Sequence, residues 1–254
     1  MSKNNKGNPY SISQNFLTDR RIIDRLLSKT DISHNDTVLE IGAGKGHITK
    51  ALSKRAKTVV SYEIDGALYE KLKPNLADNV RLIRGDFLKC ALPKASYKVF
   101  ANITFSKTSE IIRKLTAGNL PEHIWLIMEK GAAKRFCGLP TENTNSLLLK
   151  PFFDVKISYY FNRTDFHPAP RTDVVMLELI KKPADIPLNQ KRDFSEFISR
   201  CTRYGFYGSR APLTKKQVST ALRLEGLPDI KPSGDVTYVQ WLCLFRCRVK
   251  FNKR

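Results

Sequence analysis

The sequence predicts a doubly wound α/β domain followed by a small helical one, and three observations carry the prediction. Short apolar runs alternate with helical periodicity from residue 37 to about residue 130, a glycine-rich turn joins the first run to its helix, and beyond residue 183 no strand pattern recurs. Parallel neighbouring strands need a covering crossover, which the intervening helices supply.

Residues 19–29, DRRIIDRLLSK, set Ile22, Ile23, Leu26 and Leu27 at helical spacing, with Thr18 or Asp19 as cap. TVLEIGAGKGHITKALSKR reads as a strand over 37–41, a glycine turn and a helix to about residue 55. KTVVSYEID is the second strand and GALYEKLKPNL its helix; NVRLIRGDF is the third strand and KVFANI the fourth. SEIIRKLTAG is a helix closed by Gly118, and HIWLIMEK is the fifth strand. VKISYYF and TDVVMLELIKK follow with no helix between them, which predicts an antiparallel pair at the sheet edge and a methyltransferase-like strand order. After the Pro-bearing connector KKPADIPLNQKR, helices are expected over 193–202, 214–224 and 235–249. The boundary is therefore set between residues 1–182 and 183–254.

The formal charge of +20 points to a polyanionic partner, nucleic acid in preference to an anionic membrane. Residues 181–254 hold 16 Lys and Arg against 6 Asp and Glu, so half of that excess sits in under a third of the chain. No apolar stretch reaches the ~18 residues that span a bilayer, and the N-terminus lacks a signal-peptide core, so a cytoplasmic protein is expected. The five cysteines are odd in number and scattered, as suits a reducing compartment; Cys243 and Cys247 have no further ligand at metal spacing, and no metal site is predicted.

Glu40-Ile41-Gly42-Ala43-Gly44-Lys45-Gly46 follows a strand and opens a helix, where backbone N–H groups can approach a ligand. It is not a phosphate-binding P-loop, because Lys45 is followed by Gly46 and the metal-binding hydroxyl is missing. It departs from the dinucleotide fingerprint too, with one residue rather than two between its second and third glycines. Glu40, two residues ahead of Gly42, suits a cationic ligand better than a pyrophosphate, and S-adenosylmethionine carries an ammonium and a sulfonium. Glu63, ending the second strand, can then accept both ribose hydroxyls; Asp86, ending the third, can accept from the adenine amine while Phe87 or Ile64 flanks the ring.

The fourth strand ends in Asn102-Ile103-Thr104-Phe105. The lone pair of an adenine amine is delocalised into its ring. The Asn102 amide oxygen and a backbone carbonyl, most simply that of Ile103, can accept its two N–H hydrogens and favour a pyramidal, nucleophilic nitrogen, while Phe105 stacks on the base.

Over residues 10–180 these motifs resemble the adenine-N6 methyltransferases of ribosomal RNA, the Erm and KsgA group. SQNFLTD (13–19) resembles their N-terminal motif, LEIGAGKGHIT the donor loop, YEID the ribose acid, RGDF the adenine acid and NITF the target-amine motif. FHPAPRTDVV (166–175) is similar to the segment whose phenylalanine, here Phe166, stacks on the opposite face of a flipped base. GAGKGH and MEKGAAKRF (128–136) are closer to Erm proteins, which modify one adenine of 23S rRNA and confer macrolide, lincosamide and streptogramin B resistance.

The resemblance implies a Rossmann-like class I S-adenosylmethionine-dependent methyltransferase with a small C-terminal all-α domain. It implies donor contacts from Asn15, Leu17, Gly42, Gly44, Glu63, Ile64, Asp86, Phe87 and Asn102, and a base held between Phe105 and Phe166. Lys134 and Arg135 are candidate phosphate contacts. The implied partner is 23S rRNA, unassembled or partly assembled, acted on by a monomer. A KsgA-type small-subunit enzyme and a non-catalytic nucleic-acid-binding relative are the alternatives. One departure stands out: the family has Pro after Asn-Ile, and this chain has Thr104.

Overall fold

The computed structural model describes residues 15–230 and 235–252. Its elements are β1 (Phe16–Leu17), α1 (Arg20–Leu27), β2 (Thr37–Ile41), α2 (His47–Ser53), β3 (Thr58–Glu63), α3 (Gly66–Leu72), β4 (Val80–Arg84), β5 (Lys98–Asn102) and α4 (Thr108–Leu115). Then come β6 (His123–Glu129), α5 (Lys130–Cys137), α6 (Thr144–Leu149), β7 (Phe153–Tyr160), β8 (Phe166–His167), β9 (Val174–Lys181), α7 (Lys191–Tyr204), α8 (Lys215–Leu224) and α9 (Tyr238–Asn252). Ser13 and Gln14 of the N-terminal motif lie outside the described residues.

Seven strands form one sheet in the order β4-β3-β2-β5-β6-β9-β7, and β1 pairs antiparallel with β8 in a separate two-stranded ribbon. Pairs β3–β4, β2–β3, β2–β5 and β5–β6 are parallel, while β9 runs antiparallel to β6 along its length. This is the Rossmann-like arrangement the alternating pattern predicts. Central strands read as unbroken apolar runs because both faces are covered: Val99, Phe100 and Ala101 are fully buried, as is β6 from Ile124 to Met128. Each buried Val, Leu, Ile, Met or Phe side chain among them contributes about 1.5–3 kcal/mol of transfer free energy.

The chain leaves β2 toward β3 and β4 on one side, then returns to place β5 on the other side of β2. The carboxyl ends of β2 and β5 therefore flank the switch point, where an open α/β sheet parts its loops and leaves a crevice.

Several boundaries differ from the sequence reading. The helix expected to close at Gly118 ends at Leu115 with Thr116 as its C-cap, the Thr116 hydroxyl donating to the Ile112 carbonyl at 2.9 Å. Helices α5 and α6 were not anticipated; α6 is begun by a capping box in which Asn143 accepts from Ser146 N–H and Ser146 accepts from Asn143 N–H.

Two compact units divide the chain. One runs to Ala133 and includes Lys156–Lys181; the other is Lys134–Val155 together with the chain from Lys182 onward. A division at 182/183 thus differs from the observed one, because residues 134–155 pack with the tail. There α6 lies on α7, and Lys182 and Asp185 donate their backbone N–H groups to the carbonyls of Phe152 and Pro151. The second unit has its own aromatic core, with Phe194 edge-on to Phe245 at 4.9 Å and Phe197 edge-on to Trp241 at 6.1 Å. No helix among the described residues is long and apolar enough to cross a membrane.

Candidate active site

Two cavities open at the carboxyl ends of β2, β3 and β5, and they share Gly42, Glu63, Asn102, Ile103 and Thr104 in their walls. The smaller, about 70 Å³, is also lined by Asn15, Leu17, Gly44 and Phe105; the larger, about 560 Å³, by Ile64, Asp86 and Phe87. All nine residues expected to hold the donor, and Phe105, therefore meet here.

Two glycines of the loop after β2 are there for different reasons. At Gly44 (φ +57°) a Cβ would come within 2.9 Å of the Phe16 ring, so the close approach of β1 needs its absence. At Gly42 (φ +80°) a Cβ would meet no protein atom within 4 Å; the space beside it lies open to a ligand. Lys45 Nζ lies over the Phe16 ring, 4.8 Å from its centroid.

Glu63 is 2% exposed, and both of its carboxylate oxygens already accept backbone N–H groups, from Gly44 at 2.7 Å and from Asp65 at 2.8 Å. Its carboxylate thereby anchors the glycine loop to the end of β3 and keeps spare lone pairs facing the cavity. Asp86 accepts from Leu88 N–H at 2.9 Å and opens a 3-10 turn, Phe87–Lys89. Lys114 of α4 donates to the carbonyls of Leu88 and Cys90 at the end of that turn. Of the two side chains expected to flank an adenine ring, Ile64 is 39% exposed whereas Phe87 is buried edge-on against Tyr62.

Asn102 ends β5 with its carboxamide oriented: Nδ2 donates to the Asn15 carbonyl at 2.8 Å, and Oδ1 accepts no hydrogen bond from the described residues. The N-terminal segment thus fixes which end of the amide faces the cavity. Phe105, half-buried, begins a 3-10 turn at the cavity wall.

Two expectations are corrected. Glu40 faces no ligand; it is 1% exposed, beneath the loop, where its Oε2 accepts from Thr49 at 2.7 Å and Ser61 at 2.6 Å. Its Oε1 is buried without a hydrogen-bond partner among the described residues. Phe166 presents no stacking face, being 1% exposed in the core on β8, paired with Leu17 and 5.2 Å from the Phe161 ring. Lys134 and Arg135, expected to contact phosphate, are exposed and belong to the second compact unit. His47, at the start of α2, also lines the smaller cavity, and partial burial, with Lys45 and Lys50 nearby, lowers its pKa.

Burial raises the Glu40 carboxyl to about 7, against 4.5 for the free side chain, with the nearby Glu63 adding to the effect. In the folded protein it holds its proton up to about pH 7; unfolded, it loses it near 4.5. Folding therefore takes up a proton between these values, and stability falls as pH rises through that window. Glu40→Gln is expected to abolish this slope, leaving the variant more stable than the parent at pH 8 by on the order of 3 kcal/mol and nearly equal to it at pH 4.5. Urea unfolding at the two pH values measures it.

The family model described as ribosomal RNA adenine dimethylase matches residues 4–221. The chain belongs to the ribosomal RNA adenine dimethylase family. Among curated relatives, an rRNA adenine N-6-methyltransferase of Escherichia coli is 33% identical over 98% of this chain and 99% of its own. One of Limosilactobacillus reuteri is 32% identical over 95% and 97%. Among solved structures, the 23S rRNA methyltransferase ErmE superposes with a TM-score of 0.77 at 25% identity over 92% of this chain and all of its own. A dimethyladenosine transferase from Plasmodium falciparum shares the fold at 21% identity, TM-score 0.69.

The cofactor of this family member is S-adenosylmethionine, and the residues present fit it. Gly42 leaves open space, Glu63 offers acceptors at the cavity wall, and Asp86 and Ile64 line the larger cavity as an adenine site requires.

Proposed function

We propose that this chain transfers methyl groups to N6 of an unpaired adenine of 23S rRNA, in the manner of Erm enzymes, and so confers macrolide, lincosamide and streptogramin B resistance. The observation that carries the reading is the Asn102 carboxamide, held at Nδ2 by Asn15 with Oδ1 turned to the cavity that Gly42 and Glu63 also line. Bound there, S-adenosylmethionine supplies an electrophilic methyl on a sulfonium. Glu63 and Asp86 would hold its ribose and adenine, and Gly42 leaves room for it beside the backbone. Asn102 Oδ1 accepts from the target amine, drawing the nitrogen lone pair out of conjugation, and Phe105 stacks on the base. Positioning supplies most of the rate, so no strong base is needed.

Thr104 already adopts φ −67°, the value a proline ring imposes. Thr104→Pro is therefore expected to leave methyl transfer unchanged or raise it, with about 0.4–1 kcal/mol of added stability from the stiffer unfolded chain. A turnover assay and a thermal melt of the variant check this; a large loss of activity would show that the loop needs its freedom.

The direct test incubates purified protein and tritiated donor with protein-free 23S and small-subunit rRNA in competition. Label in an adenine of 23S rRNA is expected. Label confined to the small-subunit RNA replaces this reading with a KsgA-type one, and no label in either overturns it. A host expressing the chain should tolerate erythromycin.

A further inference from the structure

Between α7 and α8 the helical unit carries a turn that is braced. Phe206 packs on Trp241 with ring centroids 4.6 Å apart, a backbone bridge joins Tyr207 to Leu213, and Arg200 donates to the Arg210 carbonyl at 3.3 Å. On either side of the anchored Phe206 a ring faces water: Tyr204 is 41% exposed and Tyr207 43%. The Arg203 guanidinium lies 6.0 Å from the Tyr204 ring centroid. Residues 200–216 include Arg200, Arg203, Arg210, Lys215 and Lys216, all exposed, and not one carboxylate.

Rings left in solvent on a fixed frame forgo burial, and five clustered cations repel one another. A partner offering flat faces and closely spaced phosphates relieves both. Bases paired in a duplex are stacked out of reach of phenol rings, so the nucleotides engaged must be unpaired.

We propose that the turn over residues 203–214 is an RNA-contact surface of the helical unit, stacking unpaired nucleotides on Tyr204 and Tyr207 while the surrounding arginines and lysines take their phosphates. Only the identity of the RNA rests on the function proposed above.

The test uses the full-length chain and a fluorescent uridine oligonucleotide without adenine, so neither methyl transfer nor donor binding enters the readout. Tyr204→Ala with Tyr207→Ala is expected to weaken binding at least about tenfold, whereas the double Phe variant binds within about twofold of the parent. Arg203→Gln should reduce the slope of log K against log salt by about 0.7. With 4-thiouridine in the oligonucleotide, light should crosslink the unaltered chain within residues 203–216, a result that needs no variant to fold. Equal affinity of the Ala double variant and the parent, or crosslinks confined to other segments, overturns the proposal and leaves the turn to a protein partner. A chain that transfers no methyl but shows the tyrosine dependence upholds this surface and refutes the 23S reading.

Discussion

Asn102→Ala is expected to lower kcat/KM for RNA methylation by about 10²–10⁴, the range for removing a positioned group that stabilises a transition state. The loss has two sources. The amide oxygen that draws the amine lone pair out of conjugation disappears, and the Asn15 carbonyl loses the Nδ2 donor it meets at 2.8 Å. Donor affinity should change far less, because Gly42, Glu63 and Asp86 remain. Calorimetric titration with the donor beside steady-state methylation separates the two effects. Asn102→Asp should recover little: its carboxylate keeps an acceptor but turns a second one toward the Asn15 carbonyl. If Asn102→Ala keeps its biological effect in a host, the chain acts by binding nucleic acid and not by catalysis.

Glu63→Gln is expected to weaken donor binding at least about 30-fold and to destabilise the fold by about 1–3 kcal/mol. The carboxylate accepts two backbone N–H groups at 2% exposure. A glutamine must turn its NH₂ toward one of them, so a donor faces a donor in a buried position. Either the Gly44 contact breaks and the glycine loop loosens, or the Asp65 contact breaks and the start of α3 shifts. Titration with S-adenosylhomocysteine and a thermal melt give the two numbers. A variant that binds normally would mean the loop is held from elsewhere.

Much of the sheet was legible because its strands are short and apolar and most connections between β2 and β6 carry a helical period; β2 was placed to the residue. Most residues of the two cavity walls were legible for a related reason: they sit at strand ends, where a change from apolar to acidic or glycine is visible in one dimension. Phe166 was placed by the likeness of its segment alone, which says nothing of burial; its burial depends on pairing with Leu17, about 150 positions earlier. Glu40 was misread because a carboxylate beside a glycine turn looks the same in sequence whether it points at the ligand or beneath the loop; only the Thr49 and Ser61 hydroxyls decide. The capping box of α6 was present in the sequence at Asn143 and Ser146, but a six-residue helix is too short for periodicity to reveal.

The pairing of β1 with β8, and the seat of β9 between β6 and β7, bear on the order in which the molecule can be made. Strands β2 to β6 can zip as they leave the ribosome, since each neighbour is already present or soon follows. The ribbon that brings Asn15 to Asn102 must wait for β8, and the gap beside β6 is filled only when Val174–Lys181 has been synthesised. Contacts so distant along the chain close slowly. A nascent chain truncated before residue 166 would therefore carry the donor loop yet lack the orientation of its target amide, so competence arrives late in translation.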